Sequence, residues 1–223
     1  MNKFFLFFIS ISLSLVLYSC NTVDNEGPNE LGGNTDIPIA QVGNTFWLST
    51  NFNGTYYDLN ETIEITKKDG GVVIIHLKAT IPDDPNLKQF ASYLPPYFFD
   101  ENGNIDMEIK VKMTSEGIQD YLNKDQKPHT LVKYDCKVGD KYQLTNSDGT
   151  TITRTVTSKS DKEDFLHGSV KIKTIKIEQD SQDFGIPGIK KIIFKANHKF
   201  GLVWVSFEKE DGTSYSSHVF SSN

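Results

Sequence analysis

The side chains able to do chemistry are plentiful in this chain, but their spacing does not favour it. Five histidines, His76, His129, His167, His198 and His218, are scattered, with no His-x-His or His-x-x-x-His pair. Nothing local therefore sets up a tetrahedral metal site. Asp100, Asn102, Asn104 and Asp106 alternate like the opening of a calcium loop. Such a loop needs glycine at its sixth position and glutamate at its twelfth, and this chain has Ile105 and Val111 there. Asn102-Gly103 reads instead as a polar turn with positive φ. Carboxylates adjoin at Asp83-Asp84 and Glu163-Asp164, and Asp58 lies near Glu61. A glycosidase needs its two acids on either side of a cleft, which loop neighbours do not provide. No Gly-x-Ser-x-Gly elbow raises a serine nucleophile. The chain is expected not to be an enzyme and to need no cofactor or metal; a hydrolase using loop carboxylates ranks last.

Aromatic residues offer more. In "FASYLPPYFFD", Tyr93, Leu94, Tyr97, Phe98 and Phe99 flank Pro95-Pro96, which hold the backbone extended and remove two amide donors. "FWLSTNFNGTYY" adds Phe46, Trp47, Phe52, Tyr56 and Tyr57. Aromatic faces beside Asn and Asp suit stacking on sugar rings, while an apolar proline-aromatic loop suits a partner protein or an acyl chain. Tyr93, Tyr97, Phe98, Phe99, Trp47, Tyr56 and Tyr57 are the candidate binding surface. The alternative is that these rings plug one end of a β core.

The elements that must position these residues are short strands separated by turns. In "VVIIHLKATI", Val73, Ile75 and Leu77 alternate with Ile74, His76 and Lys78. Ile105, Met107, Ile109, Val111 and Met113 share one face of a strand with a wet side. Ser147-Asp148-Gly149 and Asp211-Gly212 mark hairpins. In "TLVKYDCKV", Val132, Tyr134, Cys136 and Val138 fall on one strand face, making Cys136 a small buried residue with no base beside it. Helical signal is confined to "DPNLKQFASYL" after Asp84-Pro85 and to "TSEGIQDYLN", capped by Thr114 or Ser115. The expected fold is mainly β and antiparallel: a curved sheet or open half-barrel, or a β-sandwich, with one or two short helices. A formal net charge of −6 and a lone arginine, Arg154, argue against nucleic acid and against a dedicated phosphate or carboxylate clamp.

The first 20 residues read differently. Lys3 precedes an apolar run from Phe4 to Tyr18, about 15 residues against the roughly 20 a spanning helix needs. The run ends in "LYSC", which resembles the lipobox of bacterial lipoproteins. That resemblance implies a signal peptide over 1–19 and a diacylglycerol thioether on Cys20. Two or more acyl chains anchor stably, at about 0.8 kcal/mol per buried CH₂. Residues 20–36, rich in Asn, Gly, Pro and acid, are expected to be the lipidated cysteine and a flexible tether, and residues 37–223 a single β-rich domain.

Further along, "KVGDKYQLTNSDGTTITRTVTSK", "HGSVKIKTIKIE" and "IIFKANHKFGLVWVSFEKEDGT" carry Val138-Gly139-Asp140, Asp148-Gly149, Thr155-Val156, Gly168-Ser169, Gly201-Leu202-Val203 and Asp211-Gly212. This turn-and-strand order resembles a loose class of uncharacterised Bacteroidota envelope lipoproteins. The resemblance implies a β fold at the outer membrane of a Gram-negative cell, with either face of that membrane open, and it implies no chemistry. The leading expectation is a non-catalytic binding or assembly module for glycan or a partner protein. A carrier of a hydrophobic ligand in a curved-sheet cavity is the alternative.

Overall fold

The computed structural model describes residues 29–92, 94–180 and 188–222. The lipobox, Cys20 and Tyr93 lie outside them. The chain forms β1 (Thr45–Phe52), β2 (Thr55–Tyr57), β3 (Thr62–Asp69), β4 (Val72–Ala79), α1 (Pro85–Ala91), β5 (Ile105–Thr114), β6 (Gly117–Asp120) and β7 (His129–Lys133). It continues through β8 (Lys141–Thr145), β9 (Thr151–Lys159), β10 (Phe165–His167), β11 (Val170–Ile172), β12 (Ile175–Asp180), β13 (Ile189–Asn197), β14 (Gly201–Lys209) and β15 (Ser214–Ser221). One antiparallel sheet runs in the order β7-β6-β5-β4-β3-β1-β15-β14-β13-β12-β9-β8, with β2 beside β1. It curls into a nearly closed barrel. Strands from both ends of that order feed one buried cluster, including Ile65, Val73, Val111, Met113, Ile118, Val132, Tyr142, Val156, Ile177 and Ala196. Only a sheet curved on itself brings these inward faces together.

Alternation sets the inward face. Val73, Ile75 and Leu77 pair with Val111, Ile109 and Met107 on the inside, while His76 pairs with Glu108 on the outside. One end is plugged by the turn Pro38–Ala40, whose Ala40 is fully buried and whose Ile37 packs on the core. At the other end α1 covers the inner face. Asp84 caps it, its carboxylate accepting the amides of Asn86 and Leu87 at 2.8 and 3.1 Å, and Pro85 fills the first helical position, where no donor is needed. Leu87 is buried, and Phe90 packs on Tyr215 at 4.3 Å and Phe207 at 5.2 Å between ring centres. The hairpins at Asp148-Gly149 and Asp211-Gly212 form as expected. Each aspartate accepts the amide and hydroxyl of the threonine two residues on.

Three expectations need correction. "TSEGIQDYLN" is not a helix. Thr114 pairs with Gly117 across a tight turn, and β6 follows. A side chain at Gly117 would collide with the Val132 carbonyl, so glycine here permits close strand approach rather than weakening a helix. The strand through Cys136 also stops early. β7 ends at Lys133, the chain turns so that the Cys136 amide reaches the Lys133 carbonyl at 3.2 Å, and Val138 is exposed while Cys136 stays buried. Finally, residues 29–36 are docked on the wall rather than free. Leu31 is buried, Lys112 donates to its carbonyl at 2.6 Å, and Asn34 exchanges hydrogen bonds with Ser115 at 2.9 and 2.8 Å. Hydrogen bonds from its polar groups, together with buried Leu31, hold the segment in place.

Candidate functional site

The outer face of β1, β15 and β14 carries the most developed surface feature. On β1, Phe46 packs on the core, so Trp47, Ser49 and Asn51 point outward. Register places Trp47 opposite Phe220, Ser49 opposite His218, and Asn51 opposite both Ser216 and Tyr56. Trp204 and Ser206 extend these rows onto β14. Trp47 lies flat against Phe220, with ring centres 4.1 Å apart and planes 18° off parallel. One face of the indole is thereby fixed, and the side chain remains 46% exposed. Tyr56 is 71% exposed. A ring held flat and open, bordered by amide and hydroxyl groups, can stack on an apolar ring face and hydrogen-bond its rim.

The β10-β11 hairpin forms a separate two-stranded sheet and lies over the rest of this face. Its Phe165 stacks on His218 at 5.5 Å and its His167 on Phe220 at 4.6 Å. Phe200 closes on His167 at 5.1 Å. The Lys195 ammonium sits 4.3 Å from the centre of Phe165 and 4.9 Å from that of Trp204. Burial lowers the proton affinity of His167, and of His218 with help from Lys195. Burial likewise lowers Lys195, with Lys176 adding repulsion and Asp164 opposing it.

The structure divides the expected surface into separate parts. Trp47 and Tyr56 share the outer face. Tyr57 falls on the opposite face and donates to Asp84 at 3.0 Å, tying β2 to α1. Tyr97, Phe98 and Phe99 occupy a turn beside β5, three strands from β1 in the sheet order. There Tyr97 is 78% exposed and packs edge-on to Phe98 at 4.8 Å, while Phe98 and Phe99 are half-buried. Asp100 closes the neighbouring turn by accepting the amides of Asn102 and Asn104, both at 2.9 Å. Among the described residues, no three His, Cys, Asp or Glu side chains converge as metal ligands.

Sequence reasoning missed the role of Arg154. Strands β7 and β8 meet at the seam of the barrel without a backbone ladder among the described residues, and Arg154 of β9 reaches across it. Its guanidinium meets Asp120 of β6 at 2.8 Å, Gln179 of β12 at 2.8 Å, and the carbonyls of His129 and Thr130 on β7 at 3.2 and 3.3 Å. His129 donates from Nε2 to the Tyr142 carbonyl at 3.1 Å, and the Tyr142 hydroxyl accepts the Lys133 amide at 3.2 Å. Asn29 bridges the same gap, donating to Gln143 on β8 at 2.5 Å and accepting the Thr130 amide at 3.1 Å. Being the lone arginine was the available signal; its buried partners were not readable. Two clefts flank the seam, of about 400 and 340 Å³. The larger is lined by Lys133, Lys137, Lys141, Asp135 and Asp140 around Cys136. Burial pushes that thiol up, away from the thiolate a nucleophile needs. No protein-family model, curated protein or solved structure matches this chain.

Proposed function

We propose that this chain is a non-catalytic binding module that presents the Trp47–Asn51–Tyr56 platform to a glycan at the cell envelope, where lipidated Cys20 holds it. The observation that carries the reading is Trp47, pinned flat on Phe220 and open on its other face, on the same side of the sheet as Ser49, Asn51 and Ser216. Fixing an aromatic ring before binding lowers the ordering cost of a sugar contact. Screening the purified domain against envelope and host glycans, then titrating a hit calorimetrically, tests it. Trp47→Ala is expected to weaken binding at least about tenfold, or roughly 1.4 kcal/mol. Equal affinity in the variant, or no glycan bound at all, removes the proposal. Anchoring has its own test: Cys20→Ser should abolish incorporation of labelled fatty acid and release the protein from membranes.

A second reading, a hydrophobic-ligand carrier, draws support from the inner face near α1, where Leu48, Ile75, Leu77, Met107 and Val205 are half-buried rather than sealed. It is the weaker reading. The opposite half of the barrel is filled, and the larger cleft is lined mostly by charged groups. Lipid released from the native protein by solvent extraction would favour it.

A further inference from the structure

The β10-β11 hairpin does to the outer face what a bound ring would do. Its Phe165 and His167 stack on His218 and Phe220, two residues apart on the same strand as their partners are on theirs. Trp47 stacks on Phe220 as well, so the covered rings are continuous with the open platform. Among the described residues the hairpin joins no ladder of the main sheet; its attachments include these interleaved rings, the Lys195 ammonium over Phe165, and Ile172, which is buried. Its other side offers Leu166 to solvent. Stacking adds only modestly to the area it buries, and no ladder hydrogen bond ties the hairpin to the main sheet among the described residues, so the cover is more weakly held than a strand of that sheet.

Two of the four stacked rings on β10 and β15 are imidazoles, and their surroundings disfavour charge. His167 is 6% exposed, and its Nδ1 is buried without a hydrogen-bond partner among the described residues. From β13, Lys195 faces the cluster across Phe165 and Trp204, with Lys176 of β12 and Asp164 acting on Lys195. From the β13-β14 turn, Lys199 sits 5.2 Å from the Phe200 ring that closes on His167. Across the ladder, β1 contributes Trp47 and the uncharged Ser49. The two histidines also repel one another once charged, as the effect of His218 on His167 reflects. Among the described residues, no carboxylate is bonded to either ring to offset this.

We propose that the hairpin is a proton-released cover over a second subsite of the platform, formed by Phe220, His218 and Trp204. The proposal rests on the glycan reading for its purpose, not for its test. With the hairpin lifted, His167 regains its ordinary affinity for protons, near pH 6.5, while Lys195 still acts on His218; in the closed form burial lowers both. The closed state is therefore fully favoured above about pH 6.5 and loses ground as pH falls below it. With both rings protonated only when open, the open-to-closed ratio rises by up to about 100-fold per pH unit.

Hydrogen exchange of the full chain between pH 8 and pH 5, corrected for intrinsic rates, reads this without any ligand. Protection of residues 164–172 should fall steeply below pH 6.5 while that of β4 holds. His167→Phe with His218→Phe should flatten the response. Phe165→Ala should lower protection at every pH while keeping the slope, a result that rigid packing alone would not produce. Protection that is flat with pH in the natural chain, or equally steep in the double variant, overturns the proposal. If exchange behaves as expected but Trp47→Ala leaves glycan affinity unchanged, the cover stands and the glycan reading falls. If Trp47→Ala weakens binding but exchange is flat, the reverse holds.

Discussion

The seam and the hairpin solve the same problem by different means. Each attaches an element that the main ladder does not reach. At the seam, a buried guanidinium with four partners joins β6, β7, β9 and β12. On the outer face, interleaved rings hold β10 and β11. Charge-assisted hydrogen bonds in a dry interior are directional, and removing one partner leaves the other charge buried. Ring stacks are individually weak and tolerate sliding. The first joint is suited to permanence and the second to release.

The largest expected effect is at the seam. Arg154→Ala leaves Asp120 buried without its partner and should destabilise the fold by about 3–5 kcal/mol in urea unfolding. Replacing both, as Arg154→Met with Asp120→Leu, should recover most of that. A double variant as unstable as the single would show that charge pairing is not what the seam needs. Next comes acid. Burial, with Arg154 adding repulsion, lowers His129 to about 4, so its neutral form stabilises the fold fully above about pH 6.5. That contribution is lost as pH falls towards 4 and amounts to about 3 kcal/mol. His129→Asn should therefore reduce the pH dependence of unfolding across this window. An unchanged slope would move the acid sensitivity elsewhere.

Smaller effects belong to the hairpin. Phe165→Ala, which removes a half-buried ring and its stack on His218, should shift global unfolding by about 2 kcal/mol or less while changing the tryptophan fluorescence. A loss as large as that of Arg154→Ala would make the hairpin part of the cooperative core and erase the contrast. Smallest of all, Leu166→Ser, on the solvent side, should leave stability within about 0.5 kcal/mol of the natural chain.

Much of the sheet is legible in the order of residues. The alternation of Ile105 through Met113 sets a one-sided strand, and Asp-Gly turns must reverse the chain because glycine tolerates positive φ. Asp84-Pro85 also begins a helix where the residue types require one. Expectations fail where a local pattern has two physical meanings. Gly117 spoils a helix and equally permits close strands, and only the neighbouring Val132 carbonyl decides between them. Polar Asn29 and Asn34 suit a free tether and equally satisfy the backbone of an adjoining wall. The platform is half visible along the chain. Trp47 and Tyr56 stand out by type, but Phe220, His218 and the covering Phe165 and His167 join them only through register and packing.

By itself, the sequence determined the alternation of β4 and β5, where the Asp-Gly turns reverse the chain, and that the fold is mainly antiparallel β. Those properties are local, fixed by a two-residue period and by the φ preferences of single residues. Tertiary structure alone decided that the sheet curls until its ends meet, that Arg154 finds Asp120 and Gln179, and that His167 and His218 become stacked, the first of them buried. These depend on which distant strands share a height in the barrel, and strand order and stagger leave no periodic trace along the chain.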